Sequence, residues 1–240
     1  MKNVFFKKGK LGVTIFLSLL LMMLSQPMYA EEPNKFDKDQ ALKELQEDLI
    51  VVEKKRNETK SVSPKEYVKV LNQLKKNAPQ KYEKIMSEEL NSPRYVPSYS
   101  GQVGTEGDIL VTYDNKTSGW HHGHAAIVRW DNTYIIEAWP DDGVRYYVNN
   151  WASRFIDARG FWVTGASEDD YDYAEDVAQR QIGEPYSLTT SKDDTTRWYC
   201  SKLVWYAWNQ QGYDLDPDGG YYVLPSDLED SDLTYRFFIQ

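Results

Sequence analysis

Cys200 is the only cysteine in the 240 residues, and all three histidines fall within Trp120-His121-His122-Gly123-His124. A lone thiol excludes an intramolecular disulfide and any cysteine-cluster metal site. Two roles remain for it: a small buried hydrophobe, or a nucleophile served by a nearby base. Leu203, Val204, Ala207 and Trp208 continue a three- and four-residue spacing from Cys200, which places the thiol on the apolar side of a helix's first turn. There the positive end of the helix dipole favours thiolate. His124 stands directly before the strand-like run Ala125–Trp130, and Glu137 lies inside the next such run, Tyr134–Trp139. If the hairpin between them turns on Asp131-Asn132 alone, Glu137 lies opposite Ala126 and shares a face with His124. A carboxylate there can orient an imidazole and stabilise its protonated form. A three-residue turn breaks that parity.

Two metal readings are weaker. Three histidines in four residues contain neighbours whose side chains point apart, which disfavours convergence on one zinc ion. Asp214-Leu215-Asp216-Pro217-Asp218-Gly219 imitates the start of a calcium loop, but its twelfth position is Pro225 rather than a bidentate Glu, so an acidic turn is the expectation. No metal or cofactor is expected.

The surrounding elements divide the chain in three. Lys2, Lys7, Lys8 and Lys10 precede an apolar run from Leu11 to Leu24, followed by Pro27-Met28-Tyr29-Ala30 and acidic Glu31-Glu32. This pattern predicts a secretory signal peptide over 1–30, an exported mature chain from about Glu31, and no membrane anchor after cleavage. Residues 31–98 read as a helical extension. Phe36, Ala41, Leu42, Leu45 and Leu49 recur at helical steps, as do Val68, Leu71 and Leu74, and Ser63-Pro64-Lys65-Glu66 forms a helix start. Such helices either pack on the main domain or serve as a removable or occluding pro-segment. Asn91-Ser92-Pro93 and Val96-Pro97-Ser98 mark a linker.

All eight tryptophans lie at or beyond residue 120, so the aromatic core belongs to residues 99–240. Strands are expected at Asp108–Tyr113, Ala125–Trp130, Tyr134–Trp139, Val144–Val148, Gly160–Thr164 and Tyr235–Ile239. Helices are expected from about Asp170 to Ile182 and from Cys200 to Gly212. The fold class is therefore α+β, a small, mostly antiparallel sheet beside helices. The formal charge of −9 is concentrated here: residues 99–240 carry 24 acidic and 10 basic side chains. That disfavours a phosphate-binding face, and no nucleic-acid partner is expected for this region. The acid surplus suits either a cationic group in a substrate or simple solubility.

Gln181-Ile182-Gly183-Glu184-Pro185-Tyr186 followed by Tyr199-Cys200-Ser201-Lys202-Leu203-Val204 resembles the cysteine half of the NlpC-type cell-wall peptidase superfamily. Gly107-Asp108-Ile109-Leu110, His124-Ala125-Ala126-Ile127-Val128 and Ile136-Glu137-Ala138 resemble its remaining strands. The His strands precede the Cys helix, an order similar to the permuted, papain-like YiiX/YebB branch. The resemblance spans about 101–230 and implies a circularly permuted papain-like fold. It further implies Cys200 as nucleophile, His124 as base, Glu137 as orienting residue and the Cys200 amide as an oxyanion donor. Tyr186 would contact substrate, and Tyr199 and His122 are further substrate-binding candidates. Tyr199 and Lys202 depart from the Asp and Gly usual at those places, so the substrate-side wall differs. The implied function is an exported cysteine peptidase or amidase, acting through an acyl-enzyme on a peptidoglycan stem peptide or amino-acid amide. Two rivals are lipid acyl transfer or thioester hydrolysis on the same permuted fold, and a non-catalytic wall-peptide binding module.

Overall fold

The computed structural model describes residues 38–58, 64–91, 101–114 and 121–240. The signal-peptide segment 1–30, the Ser63 cap and the 92–98 linker expected from the sequence lie outside these residues. Three helices come first: α1 (Lys38–Arg56), α2 (Pro64–Asn77) and α3 (Pro79–Asn91). Then follow β1 (Ile109–Thr112), β2 (His124–Val128), β3 (Tyr134–Trp139), β4 (Gly143–Val148), α4 (Trp151–Arg154), β5 (Ala158–Val163), α5 (Glu168–Gln179), α6 (Cys200–Asn209), α7 (Pro225–Asp230) and β6 (Thr234–Ile239). Among the described residues, no helix is long and apolar enough to cross a membrane.

The six strands form one sheet in the order β4-β3-β2-β1-β5-β6, and every neighbouring pair is antiparallel. Side chains alternate between its faces, so adjacent residues enter different cores. Ile109, Val111, Ala125 and Ile127 face a core shared with Leu203, Val204, Ala207 and Trp208 of α6 and with Ala174, Val177 and Ala178 of α5. Leu110, Ala126, Val128 and Ile135 face the opposite core, closed by Trp151 and Ala152 of α4 and by Phe155. Each such buried Val, Leu, Ile or Phe side chain stabilises the fold by about 1.5–3 kcal/mol.

The α5 boundary follows from its N-cap. Ser167 accepts the Asp170 amide while Asp170 accepts the Ser167 amide, a reciprocal capping box. Two elements escaped the sequence reading, α4 with four residues and α7 with six. Both are too short to display a helical period. Pro225 is the first residue of α7, and Asp227 accepts the Leu224 amide at 2.6 Å. The position that spoiled the calcium-loop pattern is thus a helix start.

Candidate active site

The β2–β3 pairing sets Ile127 opposite Ile136 and Val128 opposite Ile135. Continued by one residue, this register puts Glu137 opposite Ala126, as a turn on Asp131-Asn132 requires. His124 and Glu137 therefore share the sheet face covered by α4. His124 Nε2 donates to Glu137 Oε2 at 2.7 Å. An ionised carboxylate only accepts, so this bond assigns the proton to Nε2 and leaves Nδ1 for another partner. That partner is the Cys200 thiol, brought to the start of β2 by α6 from the other face and hydrogen-bonded to His124. All three side chains are buried.

Burial opposes charge at each of them, yet the mutual contacts win. The hydrogen bond and charge of His124, with the Ala125 and Ser201 amides, hold the thiol below its ordinary value against the effect of burial. Cys200 and Glu137 overcome the same burial at His124 and raise it to about 9. Glu137 is buried too, but His124 and Arg154 lower it to about 2. These contacts favour the thiolate–imidazolium pair beside an ionised carboxylate. The first-turn amides of α6 have no i−4 carbonyl within the helix, which leaves donors beside the sulfur.

Local backbone explains why the histidines diverge. Gly123 adopts φ +103°, and a Cβ there would lie 2.3 Å from the Thr112 carbonyl oxygen. Only glycine fits, and it sends its two neighbours apart. His124 turns to Glu137, whereas buried His122 donates through Nδ1 to Asp48 of α1. His121 is exposed. The three do not converge on a metal position. Asp216, Asp218 and Asp227 do offer carboxylate oxygens within 4.8 Å of one another, with Lys192 already bonded to Asp216.

Tyr186 is placed beside the thiol by two anchors. Val144 donates to the Glu184 carbonyl at 2.9 Å, and Trp198 donates to the Pro185 carbonyl at 2.9 Å. Burial, together with the Cys200 charge, raises its phenol. Tyr199 has a different position from an open cleft wall. It is buried, its hydroxyl accepts the Val223 amide at 3.0 Å, and its ring meets Tyr222. Lys202 is buried as well, with Nζ bonded to the Arg197 carbonyl at 2.9 Å and to the Asp194 carbonyl, so it closes the loop ahead of Cys200. Burial lowers its pKa to about 8.

The structure thus brings Cys200, His124, Glu137 and Tyr186 together and turns His122 and Tyr199 towards α1 and the 221–224 segment. The sequence reading missed Trp139 and Trp151, whose rings pack on His124 at 5.2 and 5.7 Å, and Arg145 and Arg154, which bond Glu137. One signal was available: in the β3–β4 hairpin Arg145 stands directly opposite Glu137.

Residues 106–216 match the family model described as a permuted papain-like amidase enzyme, the YaeF/YiiX or C92 family. This is the branch that the four motifs indicated. A similar solved structure is that of the metalloprotein YiiX from Escherichia coli O157:H7, 18% identical, covering 57% of this chain and 97% of that one, with a TM-score of 0.45. No curated protein matches the chain.

Proposed function

Because residues 106–216 belong to the permuted papain-like amidase family, a group of cysteine hydrolases, we propose that the chain is an exported enzyme cleaving an amide bond through Cys200, His124 and Glu137. The observation that carries this reading is the continuous hydrogen-bonded line from thiol to imidazole to carboxylate. Its substrate is a peptide or amino-acid amide, with peptidoglycan stem peptides as the class that an exported member of this family would meet.

The Cys200 thiolate attacks the amide carbonyl carbon, and the carbonyl π pair moves to oxygen beside the first-turn amides of α6. As the C–N bond breaks, the protonated Nδ1 of His124 gives its proton to the leaving amine. The product is a thioester on Cys200. Water then gives a proton to His124 Nδ1 and adds its oxygen to the thioester carbon. Collapse releases the carboxylic acid product and restores the thiolate–imidazolium pair. Glu137 keeps the Nε2 proton in place through both halves.

The test is alkylation by an iodoacetamide probe at neutral pH, followed by hydrolysis assays on amide substrates including stem peptides. The expected outcome is label on Cys200 in the wild type, its loss in His124→Ala, and no turnover in Cys200→Ala. An unreactive Cys200 at neutral pH refutes the proposal. Equal binding of a stem peptide by wild type and Cys200→Ala without any product would instead assign a binding module. A fatty-acyl thioester formed from short-chain phospholipid would assign lipid acyl transfer.

A further inference from the structure

Glu137 does not meet His124 alone. Its Oε2 accepts from His124 Nε2 at 2.7 Å and from Arg154 Nη1 at 2.9 Å, while its Oε1 accepts from Arg145 Nε at 3.0 Å and Nη2 at 2.6 Å. Both guanidiniums lie between the same two rings. Arg145 sits 4.9 Å from Trp139 and 4.6 Å from Tyr147, and Arg154 sits 4.6 and 4.3 Å from those rings. Asp142, in the β3–β4 turn, holds the other arm of Arg145. Trp139 in turn presses edge-on against His124.

From this arrangement we infer that Arg145 and Arg154 are positioning residues of the reaction, which clamp Glu137 by both oxygens and so fix its plane, its charge and the aim of the imidazole. The inference rests on the cysteine-hydrolase reading of the site. Its physical basis is that a buried carboxylate with one imidazole partner tends to share the proton and become neutral, because desolvation penalises the charged form. Four donated hydrogen bonds make the ionised form the low-energy one, and a guanidinium on each oxygen fixes its orientation as well as its charge. The two arginines act differently. Arg145 grips Oε1, the oxygen that His124 does not use, and so fixes the carboxylate plane together with the bonds on Oε2. Arg154 shares Oε2 with His124 and draws part of that oxygen's charge away from the imidazolium. The charged and titratable groups facing this centre are His124 on β2, Arg145 on β4, Asp142 in the turn, Arg154 on α4 and Cys200 on α6, with Tyr186 behind the thiol.

The experiment compares Arg145→Gln, Arg145→Lys and Arg154→Gln in the full chain. One readout is the NMR titration of the His124 imidazole, with Cys200→Ala as the common background. The other is the pH profile of thiol alkylation and of kcat and KM on an amide substrate. Arg145→Gln is expected to lower kcat about tenfold or more with a smaller change in KM, the effect of a misaimed catalytic group, and Arg145→Lys to restore part of it. Arg154→Gln is expected to move the His124 titration, and the alkaline limb of alkylation, to higher pH. Wild-type His124 titration in both glutamine variants overturns the inference, whatever happens to activity. So does a loss of kcat in Arg145→Gln that only tracks a loss of folded protein. Because His124 can be titrated without any substrate, an inert Cys200 would refute the hydrolase reading while still reporting on the clamp.

Discussion

The catalytic layer and helix α1 are held by different kinds of contact. Helix α6 buries Leu203, Val204, Ala207 and Trp208 against the sheet. Helix α1 buries Ala41 and Val52 but leaves Leu42, Leu49 and Ile50 exposed. What locates α1 is polar: Glu44 accepts the Tyr221 and Tyr222 amides at 2.7 Å each, Asp48 takes His122 and Ser226, and Lys55 pairs with Asp230 at 2.5 Å. Buried apolar area makes a layer fold without specifying its register closely, whereas directional bonds to named atoms specify register at small area. The partners of α1 also adjoin the site, since His122 is two residues from His124 and Tyr222 packs on Tyr199. Helix α1 therefore acts as a polar clasp on the 221–226 segment and the histidine stretch, while α2 and α3 join the apolar body through Val70, Leu74 and Ile85.

The largest expected effect lies at α3, where a charged side chain enters the apolar body. Lys81, buried on α3, bonds Asp108 at 2.8 Å, Thr105 Oγ1 at 2.8 Å and the Glu106 carbonyl at 2.7 Å. Burial lowers Lys81 and raises Asp108, each opposed by the other's charge, so the pair only partly repays its desolvation. Removing one partner is costlier than the pair itself. Lys81→Ala should destabilise the fold by about 3–5 kcal/mol, read from the denaturant midpoint. An unchanged midpoint would place α3 outside the body.

A second effect belongs to the body alone and follows from pH. His124 is raised to about 9 from an ordinary 6.5, so its contribution to stability is complete below 6.5 and is lost as pH rises through about 9. Glu137 is lowered to about 2 from 4.5, so its contribution is complete above 4.5 and is lost as pH falls towards 2. Both act fully between these limits, from pH 4.5 to 6.5, where thermal stability from this centre should be greatest. Part of the His124 shift comes from Cys200. In Cys200→Ala the alkaline loss should therefore be smaller and complete at lower pH than in the wild type, and coincident melting profiles would contradict the coupling.

The clasp predicts a smaller loss. Asp48→Ala leaves His122 Nδ1 and Ser226 Oγ without their acceptor and should cost about 1–3 kcal/mol. Because Asp48, His122 and Ser226 are buried, the difference from wild type should persist in high salt. Amide turnover is the discriminating readout for the role of the helices. A fall in activity on Asp48→Ala assigns α1 to the working enzyme, whereas a rise assigns it to occlusion.

Legibility from sequence followed the same division. The strands and α6 were readable because apolar residues repeat at period two or at three- and four-residue steps over enough length to show. His124, Glu137 and Cys200 were readable because histidine and cysteine are scarce here and the Asp131-Asn132 turn implies the register. The clasp was not readable, since Glu44 and Asp48 look like any acid on a charged helix, and their partners at 221–226 and 122 lie far along the chain. Arg154 was hidden for another reason: it ends a helix of four residues, and only the fold places it against Glu137. Long-range polar pairing leaves no periodic trace.

The smallest expected effect guards the comparison against counting charges. Lys43 and Glu47 form an ion pair on α1 at 3.6 Å, with 75% and 67% of their side chains exposed. It has the i,i+4 spacing of a helix pair, but the acid follows the base, the less favourable order. Water and salt screen both groups, and ordering two long side chains offsets most of the attraction. Lys43→Ala should shift stability by less than about 0.5 kcal/mol and leave turnover unchanged. Glu44 is the next residue along, yet it faces the protein and accepts two backbone amides. Glu44→Ala should therefore behave like Asp48→Ala rather than like Lys43→Ala. Equal effects at 43 and 44 would mean that α1 is held by net charge, and the directional account of the clasp would fail.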